Sequence, residues 1–326
     1  MSVVVPVWNR RDLLERFLCT LRLQTFPIGE VLVVDDGSSD GSADLAESLG
    51  ARAIRMQTHG GFAKAVNRGI REARSPLIAV VNNDVEMDPE WLAELAKAME
   101  EGVWFATGKI LQPGSPERID VTYDAICRGG TAWRVGNGRP DGPLFREPRI
   151  IGWVPFTAAL FRAELFDNIG LLDERFESYL EDVDFGLRCA LAGFRGRYVP
   201  SATARHLGSA TLGRWHTEVT RRISRNQVFL VAKHYPRRLF FRYLWPILVA
   251  QSLWGMVALR HGAGWAWLRG KAEGLRRLSD FRNGSQSADV GTILSDSEHE
   301  IRRLQKASGS DYYWSLYFLL TSGGAK

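Results

Sequence analysis

Short apolar, β-branched runs alternate with helix-like segments through the first half of the chain, and this alternation constrains the fold more than any other feature. Runs typical of strands lie at Ser2–Pro6, Val31–Asp35, Ala53–Arg55 and Leu77–Val81. Between them lie segments with helical character, at Asp12–Leu23, Ala43–Leu49 and Phe62–Ala73. The pattern predicts an α/β protein built on a doubly wound, mostly parallel sheet.

Punctuating residues refine this prediction along the chain. Asn9 is expected to cap the first helix, and Asp88 with Pro89 to begin a later one. Residues 114–148 are rich in Gly, Pro and Arg and are predicted to be an irregular connection. Beyond them we expect strands at Gly152–Phe161 and Gly196–Val199 and helices at Ala163–Ile169 and Glu181–Ala192.

The character of the chain changes after about Gly213, where long segments rich in Arg and Trp begin. A chain of 326 residues can hold one large α/β domain with an appendage, or two modest domains. We therefore predict an α/β domain at 1–212 and a helical C-terminal region at 213–326.

The net charge of +5 is unevenly distributed. Residues 204–282 carry fifteen Lys and Arg against three Asp and Glu, which is +12 and leaves −7 for the rest of the chain. A basic block interleaved with Trp215, Trp245, Trp254, Trp265 and Trp267 favours a polyanionic partner. Anionic lipid head groups come first and nucleic acid second.

Leu239–Leu259 has about the length of a bilayer span, but Arg242, Pro246 and Gln251 interrupt it. The flanking arginines are more typical of helices that lie in a membrane interface. A true span and a helical lid packed on soluble protein remain alternatives.

Two further features of the sequence predict the cellular compartment of the protein. Cys19, Cys127 and Cys189 match no metal-binding spacing and are expected to be buried thiols in a reducing compartment. The N-terminus has no basic segment before its apolar run, so no secretory signal is expected. Both point to a cytoplasmic protein, and the basic, Trp-rich block favours a peripheral position at the inner face of the plasma membrane.

Acidic residues follow two of the predicted strands. Asp35 and Asp36 end one strand, where a carboxylate can accept hydrogen bonds from a base or a ribose, although Asp also stabilises turns. Asp84 and Glu86 follow another and could share Mg²⁺ or Mn²⁺, or could simply suit the next helix N-terminus. Ligands of doubly wound sheets bind outside the carboxyl ends of the strands, where both acidic groups are expected to lie.

A third acidic group opens a predicted helix at Glu181-Asp182-Val183-Asp184. The semi-apolar segment before it indicates a partly dry cleft, where like charges raise the pKa of one carboxyl and suit it to act as a general base. Asp184 and Arg188 are four residues apart and are predicted to form a helix-surface pair. His206 lies just beyond a predicted strand end. Three roles remain open for it: a structural histidine, a metal ligand or a phosphate contact.

Two common nucleotide-binding motifs are missing. No Gly-x-Gly-x-x-Gly follows the first strand and no Walker lysine follows a glycine-rich loop, which argues against hydride transfer and P-loop hydrolysis.

Six motifs in order resemble glycosyltransferase family 2, and more narrowly its bacterial rhamnosyltransferase-like branch. They cover roughly residues 1–210: Val3–Asn9, Val33–Ser42, Gly61-Phe62-Ala63 with Asn67-Arg68-Gly69, Asn82-Asn83-Asp84, Leu172–Phe176 and Glu181–Asp184. The resemblance implies a GT-A fold and an inverting transfer of sugar from a nucleoside-diphosphate sugar to a hydroxyl of a glycan or polyprenyl-linked acceptor.

The resemblance also assigns residues. It places Asp182 as the catalytic base and Asp84, Glu86 and His206 around the metal ion. The nucleotide-sugar is assigned to Pro6, Asp35, Asp36, Gly61, Lys64, Asn67 and Asn83. Two departures are Glu86 where the family has Asp, and Thr157-Ala158 where it has Thr-Gly.

The donor under this reading could be dTDP-rhamnose, used in surface polysaccharide synthesis. Two alternatives are an inactive nucleotide-sugar-binding protein and a basic nucleic-acid-binding protein. The second would need basic residues at the sheet edge where this chain has acids, so no nucleic-acid partner is expected.

Overall fold

The apolar runs of the chain form a central sheet in the computed structural model, which describes residues 1–207, 215–281 and 289–322. The strands are β1 Ser2–Val7, β2 Glu30–Asp35, β3 Arg52–Arg55, β4 Leu77–Val81, β5 Val85–Met87, β6 Val103–Gln112, β7 Ser115–Val121, β8 Asp124–Ile126, β9 Ala132–Arg134, β10 Arg149–Ile151, β11 Ala158–Arg162 and β12 Arg195–His206. The helices are α1 Arg11–Leu21, α2 Ser42–Ser48, α3 Phe62–Glu72, α4 Trp91–Lys97, α5 Ala163–Ile169, α6 Glu181–Leu191, α7 Thr217–His234, α8 Arg237–Arg242, α9 Leu244–Arg260, α10 Gly264–Arg276, α11 Val290–Ser308 and α12 Tyr312–Thr321. Short 3₁₀ turns lie at Pro143–Phe145, Glu174–Phe176 and Leu278–Phe281.

The sheet has the strand order β10-β12-β6-β11-β4-β1-β2-β3, with β5 paired to β12 and β7 to β6. Parallel pairings join β1 to β2 and β4, β2 to β3, and β6 to β12. β11 lies antiparallel between β4 and β6, and β5, β7 and β10 are antiparallel to their partners. The prediction of a doubly wound, mostly parallel sheet is confirmed.

The centre of the sheet is buried on both faces because helices cover it. All six residues of β1 are buried, and Val3, Val4 and Val5 are fully enclosed. A parallel strand covered on both sides reads as a continuous apolar run. This is why the sequence shows unbroken valines here instead of an alternation of apolar and polar residues.

Two compact units divide the chain. The first comprises Met1–Asp124 with Arg134–Thr211, and the second comprises Ala125–Trp133 with Leu212–Lys326. The grouping of Ala125–Trp133 with the C-terminal helices was not predicted. The boundary at 212/213 stays a prediction.

The prediction of an irregular connection over residues 114–148 is wrong, since β7, β8 and β9 lie within it. Ile119, Val121 and Tyr123 are buried, and polar residues alternate with them. That period of two is the pattern of a strand, which the high content of Gly, Pro and Arg obscured.

Both predicted helix caps are wrong. Asn9 has φ 48°, and its Oδ1 accepts a hydrogen bond from the backbone N–H of Ser39. The N-terminus of α1 is capped from a distant loop instead, because the Arg11 N–H donates to Asp40 Oδ2 at 2.8 Å. Asp88 does not cap α4, which begins at Trp91.

The two later strands differ from their predicted bounds. Residues 152–157 lie outside β11, which begins at Ala158, and β12 extends past Val199 to His206. The register of β12 against β6 shifts between Val199 and Thr203, where a β-bulge or irregularity lies. A Cβ at Gly108 would lie 1.9 Å from the Ala202 carbonyl oxygen, so only glycine permits this approach.

The predicted apolar segment 239–259 divides at Tyr243 into α8 and α9. Across residues 1–207, 215–281 and 289–322, every helix falls short of the length and apolar character that crossing a bilayer requires. The cysteines are free thiols, and Cys127 and Cys189 are buried as predicted. Cys19 is exposed because its position falls on the outer face of α1.

Candidate active site

Asp36 and Gly61 lie together at the carboxyl edge of the sheet. The buried Asp36 carboxylate accepts hydrogen bonds from the N–H groups of Gly60 at 2.7 Å and Gly61 at 2.8 Å. Gly61 has φ 89°, and a Cβ there would lie 3.2 Å from the carbonyl oxygen of Glu177. The neighbouring Asp35 turns its Oδ1 back to the N–H of Ser38 at 2.9 Å. The acidic pair therefore shapes the loops at this edge of the sheet.

An aromatic pair that sequence reasoning missed stands beside Asp36. The His59 Nδ1 lies 2.8 Å from Asp36 Oδ2, and its ring stacks on Trp8 with centroids 4.2 Å apart. Trp8 directly follows β1 and His59 precedes α3, so both come from the ends of elements that line this edge. A lone histidine and a lone tryptophan give no signal in the sequence, because only folding brings them together.

The other residues predicted to contact a nucleotide take varied positions. Pro6 is buried in β1, beyond the stretch that pairs with β4, so its missing N–H leaves no gap in that ladder. Lys64 is exposed on α3. Asn83 is half-buried, and its Nδ2 lies 3.4 Å from the Arg10 carbonyl oxygen. Asn67 is buried and bonds to the backbone of Leu172 and to Glu174, so it anchors that segment.

Asp84 and His206 meet where β12 ends. The His206 Nε2 lies 3.2 Å from Asp84 Oδ2, and its Nδ1 lies 2.8 Å from Asp120 Oδ2. The backbone reinforces the contact, since the Leu207 N–H donates to the Asp84 carbonyl at 2.8 Å. Burial lowers the pKa of His206, but the hydrogen bonds to Asp120 and Asp84 outweigh it and raise that pKa to about 9.

Glu86 is not brought to Asp84 and His206. In β5 its neighbours Val85 and Met87 are buried, so its own side chain points to the other face of the strand. There it forms an ion pair with Arg16 at 2.5 Å. Its role as a metal ligand stays a prediction.

Asp84 retains the capacity to bind a cation. In the described part of the chain, no three His, Cys, Asp or Glu side chains already form a metal cage. The buried Asp84 Oδ1, however, has no hydrogen-bond partner among the described residues. An unpartnered carboxylate oxygen beside an imidazole nitrogen suits a divalent cation that also binds phosphate oxygens. The residues present therefore fit a metal ion.

Arg134 is a second feature that the sequence did not reveal. Its Nη2 lies 3.1 Å from Asp120 Oδ2 and 3.4 Å from Thr157 Oγ1. The Arg134 side chain is partly exposed. Desolvation opposes its charge, but the charges of Asp120, Asp124, Asp182 and Asp84 outweigh it and raise the pKa of Arg134. One guanidinium thus faces several carboxylates. The alternation of polar and apolar residues over 119–124 was the available signal for Asp120 and Asp124.

Asp182 lies in the first turn of α6. Its side chain is half-buried, so part of it reaches solvent. Burial raises the pKa of its carboxyl, while the Val183 N–H at 2.8 Å and the charge of Arg134 act in the opposite direction. The net shift is upward, which suits a group that must take up a proton.

The segment before α6 is held in an unusual conformation. Glu177, Tyr179 and Leu180 all have positive φ. The carbonyl of Glu177 accepts from the Ala63 N–H at 2.9 Å, and the Ser178 hydroxyl accepts from the Phe62 N–H at 3.2 Å. These bonds connect the start of α3 to the start of α6, so one segment positions both the loop that Asp36 binds and the Asp182 turn.

Asp184 pairs with Arg188 as predicted, with Nε and Oδ2 3.1 Å apart, but the pair is not on the surface. The Asp184 side chain is fully buried, and Arg188 also donates to the carbonyls of Ile169 and Leu171. The pair therefore fastens α6 to the end of α5.

We expect Glu181→Gln to stabilise the fold at neutral pH. Burial, followed by the charge of Asp182, raises the pKa of Glu181 well above its ordinary value of 4.5, and its Oε2 has no partner among the described residues. The folded state therefore binds the proton more tightly than the unfolded state. Stability is lost as the pH rises from the ordinary pKa through the raised one.

Thermal unfolding at about pH 8 and about pH 4 tests this, with a gain of roughly 2–4 °C in Tm for each kcal/mol of relief. The gain should appear at pH 8 and vanish at pH 4. Glu164→Gln, on the exposed face of α5, is the matched control and should change neither value. A lower Tm at pH 8 for Glu181→Gln would contradict the expectation.

Comparison with known proteins shows what this chain is similar to. The model of the family described as Glycosyl transferase family 2 matches residues 2–170. An N-acetylglucosaminyl-diphospho-decaprenol L-rhamnosyltransferase of Mycobacterium tuberculosis is 31% identical over 241 residues, which is 66% of this chain and 78% of that relative.

Two solved structures share the fold. A mannosyltransferase from Pyrobaculum calidifontis, in complex with GDP-Man and Mn²⁺, has a TM-score of 0.52 at 17% identity and covers 98% of this chain and 85% of its own. GalNAc-T7 with UDP, GalNAc and Mn²⁺ has a TM-score of 0.63 at 16% identity and covers 94% and 57%. At these identities the likeness shows the GT-A fold alone, as the sequence predicted.

Proposed function

This chain belongs to glycosyl transferase family 2, and we propose that it is an inverting, metal-dependent member that moves a sugar from a nucleoside-diphosphate sugar to an acceptor hydroxyl. One observation carries the proposal. A partly accessible carboxylate with a raised pKa, Asp182, and the contacting pair of Asp84 and His206 occur in the same unit, built around the carboxyl edge of the sheet.

The proposed reaction is a single displacement. Asp182 takes the proton from the acceptor hydroxyl as its oxygen attacks the anomeric carbon on the face opposite the nucleotide. The new carbon–oxygen bond forms while the bond to the diphosphate breaks, and the nucleoside diphosphate leaves. Because one attack on one face completes the transfer, the anomeric configuration inverts.

Asp84 and His206 are the residues proposed to hold the divalent cation, Mg²⁺ or Mn²⁺. When bound, the ion would offset the negative charge that grows on the leaving diphosphate. Asp120 supports this role by engaging His206 Nδ1, which leaves Nε2 directed toward Asp84. The positive charge of Arg134 offsets the repulsion between the surrounding carboxylates.

The finer proposal concerns substrates and place of action. The rhamnosyltransferase relative acts, by its name, on N-acetylglucosaminyl-diphospho-decaprenol. By analogy we propose dTDP-rhamnose as the donor and a polyprenyl-diphosphate-linked sugar as the acceptor, in surface polysaccharide synthesis. Such an acceptor lies in a membrane, so the enzyme would work as a peripheral protein at its cytoplasmic face.

The test is a panel of dTDP-, UDP- and GDP-sugars with Mn²⁺ and a polyprenyl-diphosphate N-acetylglucosamine acceptor. We expect release of nucleoside diphosphate with one donor, and ¹H NMR of the product should show the inverted anomeric configuration. Retention of configuration would contradict the single displacement. Donor binding without any release would identify an inactive nucleotide-sugar-binding protein instead.

A further inference from the structure

Helix α9 exposes an apolar stripe. Trp245, Leu248, Met256 and Leu259 are between 51% and 70% exposed. Together with the exposed Ser252 they follow one another at intervals of three or four residues, so they share one face of the helix. The outward face of a helix in a globular protein is normally polar. In α9 the outward face is apolar.

Helix α12 extends this stripe. The Trp245 indole donates to the carbonyl of Leu320 at 2.9 Å, which brings the exposed leucines of α12 beside α9. Leu319 is 73% and Leu320 46% exposed. We call Trp245, Leu248, Met256, Leu259, Leu319 and Leu320 the apolar face. At its other end Leu259 packs on Gly264, next to Trp265, which is 80% exposed.

Cations border the apolar face. Arg237, Arg238 and Arg242 are exposed just before α9, and Arg260 is exposed at its end. On α10, Arg269 and Arg276 are exposed beside apolar residues. Neither α9 nor α12 contains an Asp or a Glu. An apolar centre with a cationic border complements the acyl chains and the anionic head groups of a bilayer.

We propose that the apolar face inserts into the head-group region of an anionic membrane, with α9 and α12 lying in the interface. This inference rests on the proposed function, because the enzyme needs a membrane only if its acceptor is lipid-linked. It also revises the expectation from the sequence. Trp215 stacks on His261 and Trp267 packs on Gly255, so these tryptophans are partly covered. Helix α12 lies outside the basic stretch.

A second copy of the chain fits this surface less well than a membrane does. Two such faces would bring their arginines together, and like charges repel. Nucleic acid would satisfy the arginines and leave the apolar centre exposed. The apolar character of the centre is therefore what selects lipid.

The test is flotation of the full chain with vesicles of phosphatidylcholine, with or without phosphatidylglycerol. We expect wild-type protein to float with the anionic vesicles, and less so as NaCl rises to about 1 M, where charges are screened within about 3 Å. Leu248→Glu with Met256→Glu should lower the apparent partition coefficient about tenfold or more, because two charges would have to enter the interface.

The matched control carries the same two changes at exposed apolar positions of the first unit, Leu23→Glu with Ile150→Glu. It should float like the wild type. Thermal unfolding of each variant checks that it is folded. We expect all of them to fold because the four positions are exposed. Equal loss of flotation in both double variants, or flotation that ignores both lipid charge and the α9 substitutions, would overturn the proposal.

Two further measurements separate the outcomes. Sedimentation without vesicles would reveal a dimer, and a dimer abolished by the α9 substitutions would show that a second copy covers the face. Donor-dependent release of nucleoside diphosphate, measured without vesicles but with the polyprenyl-diphosphate N-acetylglucosamine acceptor in detergent, reports the proposed function separately. Release without flotation would sink only the membrane inference, and flotation without release would sink only the enzymatic proposal.

Discussion

Replacing Asp182 by asparagine is expected to keep donor binding and to lower turnover by a factor of about 10² to 10⁴, the usual contribution of a general base. The amide keeps the size of the side chain but cannot accept the proton of the acceptor hydroxyl. Steady-state kinetics gives turnover, and calorimetric titration with the nucleoside diphosphate gives binding.

The pH profile adds a readout that a structural role would not change. Since burial raises the pKa of Asp182, turnover of the wild type should fall as the pH is lowered through that raised pKa, where the carboxyl becomes protonated. This fall in turnover at low pH should disappear in Asp182→Asn. Asp167→Asn, on the exposed face of α5, is the matched control and should keep both the turnover and its fall at low pH. Near-normal turnover in Asp182→Asn would contradict the assignment of Asp182 as the general base.

Asp84→Ala is expected to abolish the Mn²⁺-dependent part of nucleoside diphosphate binding. The substitution removes the unpartnered buried Oδ1 and the Oδ2 that faces His206, so the carboxylate proposed to hold the cation beside the diphosphate is lost. Calorimetric titrations with and without Mn²⁺ measure this directly, without relying on turnover. Full activity of the wild type in excess chelator would show that basic side chains neutralise the diphosphate.

Glu86→Ala serves as control and as a test of the remaining prediction at this site. Glu86 pairs with Arg16 on the opposite face of β5, so we expect its removal to leave most of the Mn²⁺ dependence intact. Loss of the metal effect in this variant would instead mean that the Arg16 pair opens and that Glu86 becomes a ligand.

The concentration of carboxylates around Arg134 explains why both variants should fold. Asp120, Asp124, Asp182 and Asp84 all act on this single guanidinium, so removing one negative charge relieves repulsion as well as removing a contact. Sites built for ligand binding commonly carry such a cost in stability. The same reasoning supports the expected gain in stability for Glu181→Gln.

Much of the first unit could be predicted because its signals are local. Leu77–Val81 and Ala163–Ile169 have the bounds that the sequence predicts, since continuous apolar runs and helical spacing repeat within a few residues. The caps were less predictable. The N-terminus of α1 is capped by Asp40, which lies 29 residues away in the sequence. Helix rules that consider only neighbouring residues cannot find such a contact.

The sequence by itself determined the alternation of strands and helices, the acidic groups at the strand ends and the family. Tertiary structure alone decided which of these groups meet: His206 with Asp120, 86 residues apart, and Asp182 with Arg134. Tertiary structure also decided that α9 turns an apolar face outward. The helical period in the sequence predicts which residues share a face, but not which face other elements cover. Residue preferences act over a few neighbours, whereas these contacts form only when distant strands pair and close the sheet.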